Sequence, residues 1–444
     1  MRELRSRSRR EGRGWSRLSA SRPSNADIGR KSRTPFGLLR RSERDPSYYS
    51  DGLLGRATVP HAVLLTTDFR PMRGGIASYL EGLWEYVASA VPATVITTVP
   101  EGPVPWPRAY RLRVLQEAAA SSPAHRLFQM QTETAEAALG WVREAGVNAQ
   151  AFIGVWTVLS HFWCRALARA GVPYSLFAHD AELLAGGLWA SVDAWREEDV
   201  HGARAVYAVS ADTASRLAAR YGGAVDVRVQ PPGVEEPGDP AASVELAGAL
   251  ARQLDLEGKT VLLTVARLER PKGVDLVLES LAALAASFPG LRYVVAGDGS
   301  ERARLQEQAR ALGVEPLVRF LGQVDEATKR ALFTLCDVFV MPSRLVPGRP
   351  WEGFGISYLE AAACGKPSVG GRVGGTSDAV EDGVTGLLVD TTDARETLEA
   401  LSRLLGDAAL RARLGAAALA RVHECFLWRG IGNRFLRAAA LVGP

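Results

Sequence analysis

The sequence predicts an α/β protein of two doubly wound domains, each with a ligand crevice at its strand ends. Three observations lead there. The chain has 444 residues, more than one hydrophobic core usually supports. Short apolar runs alternate with segments of helical periodicity, the pattern of repeated βα units. The unusual residues, which are glycine pairs, loop cations, carboxylates and one histidine, fall at the ends of the apolar runs, where open parallel sheets bind ligands.

Composition narrows the class. The chain is 47% hydrophobic and 23% charged, as soluble globular proteins are. Four cysteines stand singly with no CxxC pair, which argues against disulfides and structural zinc and for a reducing compartment. No run of 18 apolar residues is present, so no spanning helix is expected. Residues 1–56 hold 14 Arg and one Lys against six acids, a net +9, so the rest of a chain of net +4 carries −5. The segment is rich in Arg, Ser and Gly and is expected to be a disordered basic tail. Its basic character stops where the folded chain begins, so no nucleic-acid partner is expected.

The first βα series starts at His61–Thr66, and Gly74-Gly75 turns the chain into a helix carrying Ile76, Tyr79, Leu80 and Leu83. Strand, glycine turn and helix let a backbone approach a ligand, although Gly-Gly alone reads as a mere turn; GxGxxG is absent. Further strands are expected at Ala93–Val99, Gln150–Val155, Pro173–Ala178, Ala205–Ser210 and Val225–Val229, six in all. Between them Arg108, Arg111 and Arg113 lie among Tyr110, Leu112, Val114 and Leu115; this run reads as a solvated helix face, with a membrane-surface helix as the other reading. His179 follows the Pro173–Ala178 strand and so faces the crevice, though a lone His is more often structural. Ser210 should cap the helix from Ala211 to Arg220. Gln230–Pro240 reads as a linker.

A second series follows. Arg267 and Lys272 lie in the loop after Val261–Ala266, where two cations suit a diphosphate or are simply surface charges. Gly297–Ser300 (GDGS) permits close backbone approach, and its Ser can cap the next helix. Val318–Leu321 leads into Val324. Val338–Met341 leads into Pro350–Gly375, with glycines 353 and 355, a short apolar helix from about Ile356 to Cys364, and a stop at Gly365 and Pro367. That helix carries Glu360 on the face of Ile356 and Cys364, and a buried carboxylate needs a partner. Glu352 precedes the helix, whose first amides suit phosphate oxygens. A nucleotide sugar has both the phosphates and the hydroxyls this stretch could hold; a buried helix with one satisfied Glu explains it equally well. The boundaries read from the chain are 1–56, 57–235, 236–425, and a last helix over 426–444 that returns to the first domain.

Taken together, Gly74-Gly75, His179, SADT at Ser210–Thr213, PPGV at Pro231–Val234, Arg267-x4-Lys272-Gly, Gly297–Gly299 and Glu352-x7-Glu360 resemble the retaining glycosyltransferases of family 4, over residues 60–435. The resemblance implies the GT-B architecture, with an acceptor-side first domain and a nucleotide-sugar-binding second domain. It further implies that Arg267, Lys272 and the amides of Gly355 and Ile356 neutralise the donor diphosphate. Glu360 would hold the ribose and Glu352 the transferred sugar; His179 would bond that sugar, Gly74 and Gly75 would admit the phosphates and acceptor, and Gly297 and Val324 would line the nucleotide. No metal or other cofactor is implied.

The stretch TTDFRPMRGGIASYL resembles the GDP-mannose-dependent enzymes that extend phosphatidylinositol mannosides. Its departures from that pattern include His179-Asp180-Ala181-Glu182 and Asp378 in place of a Glu. The function implied is retaining transfer of a hexose, mannose from GDP-mannose, to a lipid-linked or glycan acceptor. A UDP-sugar enzyme, a sugar-nucleotide epimerase and a catalytically silent nucleotide-sugar-binding subunit are the alternatives. The location implied is cytoplasmic, with peripheral contact to the anionic inner face of the plasma membrane.

Overall fold

The computed structural model describes residues 59–69, 74–98, 109–115, 123–180, 193–223, 225–235 and 240–443. All of them belong to one compact unit, residues 57–444. The expected disordered tail over 1–56, Arg108, Ala181-Glu182 and the end of the 230–240 linker lie outside the described residues.

Among the described residues there are two all-parallel sheets. The first contains β1 (His61–Thr66), β2 (Ala93–Thr97), β3 (Arg111–Val114), β4 (Ala149–Ile153), β5 (Tyr174–Ala178), β6 (Val206–Ala208) and β7 (Val227–Val229), in the order β3-β2-β1-β4-β5-β6-β7. The second contains β8 (Thr260–Val265), β9 (Leu291–Ala296), β10 (Val318–Gly322), β11 (Val338–Met341), β12 (Ser368–Gly371) and β13 (Gly386–Val389), in the order β10-β9-β8-β11-β12-β13. Each order reverses once, between β1 and β4 and between β8 and β11. At such a reversal the crossovers leave to opposite faces and open a crevice beyond the carboxyl ends of the strands.

The helices of the first half are α1 (Gly75–Ala90), α2 (Pro123–Glu144), α3 (Val158–Arg169), α4 (Asp193–Gly202) and α5 (Ala211–Tyr221). Those of the second are α6 (Pro240–Gln253), α7 (Val274–Leu284), α8 (Arg302–Ala311), α9 (Glu326–Leu335), α10 (Ile356–Ala363), α11 (Thr376–Ala379), α12 (Ala394–Gly406) and α13 (Ala408–Arg421). A π turn over Val422–Phe426 leads to α14 (Trp428–Ala438). The central strands are buried on both faces, so they read as continuous apolar runs such as HAVLLT and TVLLTV.

Two expectations are corrected and one holds. The arginine run forms no helix at 111–114: it is β3, which adds a seventh strand beside β2. Its alternation of Arg111 and Arg113 with Leu112 and Val114 has a period of two, that of an edge strand with one solvated face. Ser300 does not cap α8; the cap position is Glu301, and no side chain bonds the helix end there. Ser210 does cap α5, its hydroxyl accepting from the Thr213 amide at 3.1 Å.

The C-terminal helix belongs to the first sheet's core. Phe435 of α14 lies 5.0 Å from Tyr207, 5.4 Å from Phe152 and 5.7 Å from Phe177, ring centre to ring centre. Trp428 stacks on Tyr79 at 6.2 Å, and a parallel bridge joins Val234 to Leu427. One apolar cluster therefore runs from this helix through Phe426 and Phe354 to Tyr358 and Phe339 of the second half.

Candidate active site

The strands flanking the second reversal supply the centre of the site. After β8 the chain turns through Arg267 into a 3-10 turn, Arg270–Lys272, with Pro271 buried and Gly273 in the left-handed region. After β11 comes Ser343, and nine residues later Glu352. Lys272 Nζ donates to Glu352 Oε2 at 2.7 Å, and the Ser343 hydroxyl donates to the same oxygen at 3.2 Å. Glu352 is only 8% exposed, so an unpaired charge there would be costly; the lysine and the hydroxyl from two adjacent strand ends offset that cost.

Helix α10 starts at this point. Its cap residue Gly355 has φ +86°, and no side chain bonds the first amides. Ser357 Oγ donates to the Val265 carbonyl at 2.9 Å and the Tyr358 hydroxyl donates to the Met341 carbonyl, so the helix start is pinned to β8 and β11. A pinned, uncapped helix end leaves its first amides able to receive an anion. One turn on, Glu360 is 23% exposed rather than buried, and Lys329 of α9 lies 2.6 Å from it. Burial works against the Lys329 charge, but Glu360 and Glu326 outweigh it and hold its pKa above the usual lysine value. Neither Lys329 nor Ser343 was found by sequence reasoning: a lysine inside an ordinary helical turn carries no mark of its partner two elements further along the chain.

The other expected residues line up along the same edge. Gly297 follows β9 with φ +136°, and a Cβ there would sit 1.8 Å from the Ala266 carbonyl oxygen, so only glycine fits beside the Arg267 loop. Val324, half-buried, follows β10. Arg267 is 66% exposed and lies 3.3 Å from Glu269.

The first half closes the site from the other side. A Cβ on Gly74 would lie 3.8 Å from Arg267 Nη2, and one on Gly75 3.8 Å from Ile356 Cδ1. The buried His179 has its Nε2 2.8 Å from the Gly154 carbonyl oxygen. A Cβ on Gly353 would come within 2.5 Å of the His179 carbonyl oxygen, so the Glu352 loop passes hard against the end of β5. Two more contacts bridge the halves: the Ala211 amide donates to Asp378 Oδ1 at 3.3 Å, and the Arg216 guanidinium lies 4.5 Å from the Trp351 ring centre. Burial raises the Asp378 carboxyl above its usual pKa, and the amides of Ala211 and Asp212 pull it back. The structure thus brings Gly74, Gly75, His179, Arg267, Lys272, Glu352, Gly355 and Ile356 to one crevice. Glu360, Gly297 and Val324 lie further along its second-half wall.

Residues 249–421 match the family described as glycosyl transferases group 1. The chain is 34% identical to a GDP-mannose-dependent alpha-(1-6)-phosphatidylinositol monomannoside mannosyltransferase of Mycolicibacterium smegmatis, over 51% of this chain and 59% of that one. Against that relative, then, the chain spans under two thirds of its length, as it does for the 57% covered in Mycobacterium tuberculosis. A D-inositol 3-phosphate glycosyltransferase of Frankia alni is 33% identical over 63% of this chain and 72% of that one. Among solved structures, Anabaena HepE in complex with UDP and glucose superposes with TM-score 0.70 at 20% identity, over 86% of this chain and 99% of that one. Two Rossmann-like parallel sheets with their strand ends turned to a common crevice are the GT-B fold. By fold, by matched segment and by relatives, the chain belongs to the group 1 glycosyl transferases.

Proposed function

We propose that the protein is a retaining glycosyltransferase that moves mannose from GDP-mannose to a lipid-linked or glycan acceptor. One observation carries this reading most: the Lys272–Glu352 pair held beside the uncapped start of α10 at the reversal of the second sheet. Lys272, Arg267 and the α10 amides would take the charge of the departing diphosphate, so the reaction as proposed uses no metal. Glu352 would receive hydroxyls of the transferred sugar, with His179 opposite. The acceptor oxygen bonds to the anomeric carbon from the face the diphosphate leaves. The bond from that carbon to the diphosphate breaks with its electron pair on the phosphate oxygen, which takes the acceptor's proton. Glu360, fixed by Lys329, would hold the ribose. The donor assignment rests on the names of the relatives, four of which are GDP-mannose-dependent.

Among the described residues no helix is long and apolar enough to cross a membrane. A lipid acceptor would then be met by peripheral contact with anionic lipid, for which the outward Arg111 and Arg113 of β3 are the candidates.

Thermal shift with GDP, UDP and ADP tests the donor. A ligand at 100 times its Kd stabilises by about 2.7 kcal/mol, which a melting curve resolves. GDP should give the largest rise; a larger rise with UDP would move the donor assignment to a UDP-sugar.

A further inference from the structure

We infer that Asp68 is the acceptor-binding carboxylate, receiving a neutral pair of hydroxyls on a polyol acceptor. The inference rests on the glycosyl-transfer reading above. It starts from the carboxylates at the strand ends. Glu352 is engaged by Lys272 and Ser343, Glu360 by Lys329, Asp298 by Arg302 and the Gly299 amide, and Asp378 by the Ala211 amide. Asp68 differs. Its backbone is fixed, since its amide donates to the Thr66 hydroxyl and that hydroxyl donates to its carbonyl, each at 3.1 Å. Among the described residues, no donor reaches its carboxylate.

Asp68 follows β1, one of the two strands at the reversal of the first sheet, so it stands where that half opens to the crevice. It is half-buried. Burial lifts its pKa above the usual aspartate value, while His179 and Arg267 lie near enough to pull it back. A half-buried carboxylate left without donors is a cost that a ligand's donors would remove. A diphosphate offers none and is repelled. Hydroxyls offer them, and Asp68 lies on the first-half wall, opposite the carboxylates that hold the donor. A phosphate on the acceptor would have to point away from Asp68. The acceptor edge met here is therefore uncharged.

The test uses the full-length protein loaded with GDP. Binding of methyl α-D-mannopyranoside and of myo-inositol is read by saturation-transfer NMR, and binding of GDP and GDP-mannose by calorimetry, for wild type, Asp68→Ala and Asp68→Glu. A hydrogen bond to a charged group is worth about 1.5–3 kcal/mol, so Asp68→Ala should weaken polyol binding roughly 10- to 100-fold. Asp68→Glu should recover part of it, and both should keep GDP and GDP-mannose affinity within about twofold. Unchanged polyol binding in Asp68→Ala overturns the assignment. So does an equal loss of GDP-mannose affinity, which would make Asp68 a donor-side group, and so does a GDP-loaded wild type that contacts neither polyol. A wild type that binds no nucleotide at all sinks the transferase reading itself.

Discussion

The two walls of the crevice are built in different ways. On the second-half wall, charged residues come in pairs that tie one strand end or helix to another: Lys272 with Glu352, Lys329 with Glu360, Arg302 with Asp298. On the first-half wall stand Gly74, Gly75, a buried His179 and Asp68, a carboxylate that no donor reaches among the described residues. The paired wall is preorganised: each charge is already held in place by its partner, as the proposed diphosphate and ribose contacts would require. Among the described residues the other wall is shaped more than it is charged, and it leaves polar capacity for the ligand to fill. The matched family segment, residues 249–421, falls on the paired wall. On the reading proposed above, the fixed wall would take the donor and the other wall the acceptor.

The largest effect should come from stripping charge off the paired wall. Lys272→Ala removes the partner of a buried Glu352 and, with it, the proposed diphosphate contact, and kcat/KM should fall by roughly 10²-fold or more. Arg267→Ala should also lose roughly 10²-fold. Near-normal turnover in either variant would end the claim that this wall carries the chemistry.

Next in size is the separation of the two carboxylates. Glu360→Gln should weaken binding of free GDP, whereas Glu352→Gln should leave GDP binding nearly intact and depress turnover with GDP-mannose. Calorimetry beside initial rates reads both, and matching profiles for the two variants would erase the distinction drawn between them.

A smaller effect should come from the contacts that join the walls. Asp378→Ala, which frees the start of α5, and Arg216→Ala, which uncovers Trp351, should favour a more open crevice. A lost helix-end contact costs about 0.5–2 kcal/mol, so the KM for donor should rise a few-fold with little change in kcat. Small-angle scattering should show the wild type contracting on donor binding, and a radius of gyration that ignores both ligand and mutation would count against closure.

The smallest effect concerns Asp68 and stability. In the folded chain burial raises its carboxyl pKa above the unfolded value. The ionised form is thus disfavoured by folding: the contribution is nil below the unfolded pKa and becomes destabilising as pH rises through the folded one. Asp68→Asn should therefore raise Tm at pH 7, and the gain should vanish below about pH 3.9. A gain that persists in acid would have another origin than charge.

Much of the fold was legible because buried parallel strands read as unbroken apolar runs. Those runs locate β1, β5, β8 and β11 and, by position, the loops that carry the site. β3 was not legible as a strand: four residues with two arginines look the same on a solvated helix and on a sheet edge until the neighbour is known. The loop cations and the Glu352–Glu360 spacing were visible, but their partners were not. Lys329 and Ser343 reach the site through strand order, and strand order is a property of the whole sheet. Asp68 stood in plain view after β1, yet only the absence of a donor around it among the described residues sets it apart. An absence of that kind exists only in three dimensions.

The return of α14 to the first sheet sets a timetable for the chain's birth. Phe435 fills the ring cluster of Trp84, Phe152, Phe177 and Tyr207, and those four residues are synthesised more than 200 residues before it. At ribosomal rates of about 5–20 residues per second, that face of the first sheet stays uncovered for roughly ten seconds or longer. Meanwhile the second sheet can complete its own core, since Leu262, Leu281, Leu401 and their neighbours all emerge before α14 does. The half that begins last in sequence is thus the one able to finish first. Expression at lower temperature or with a holdase present should favour soluble protein, and shortening the chain before Trp428 should cost the first half far more than the second.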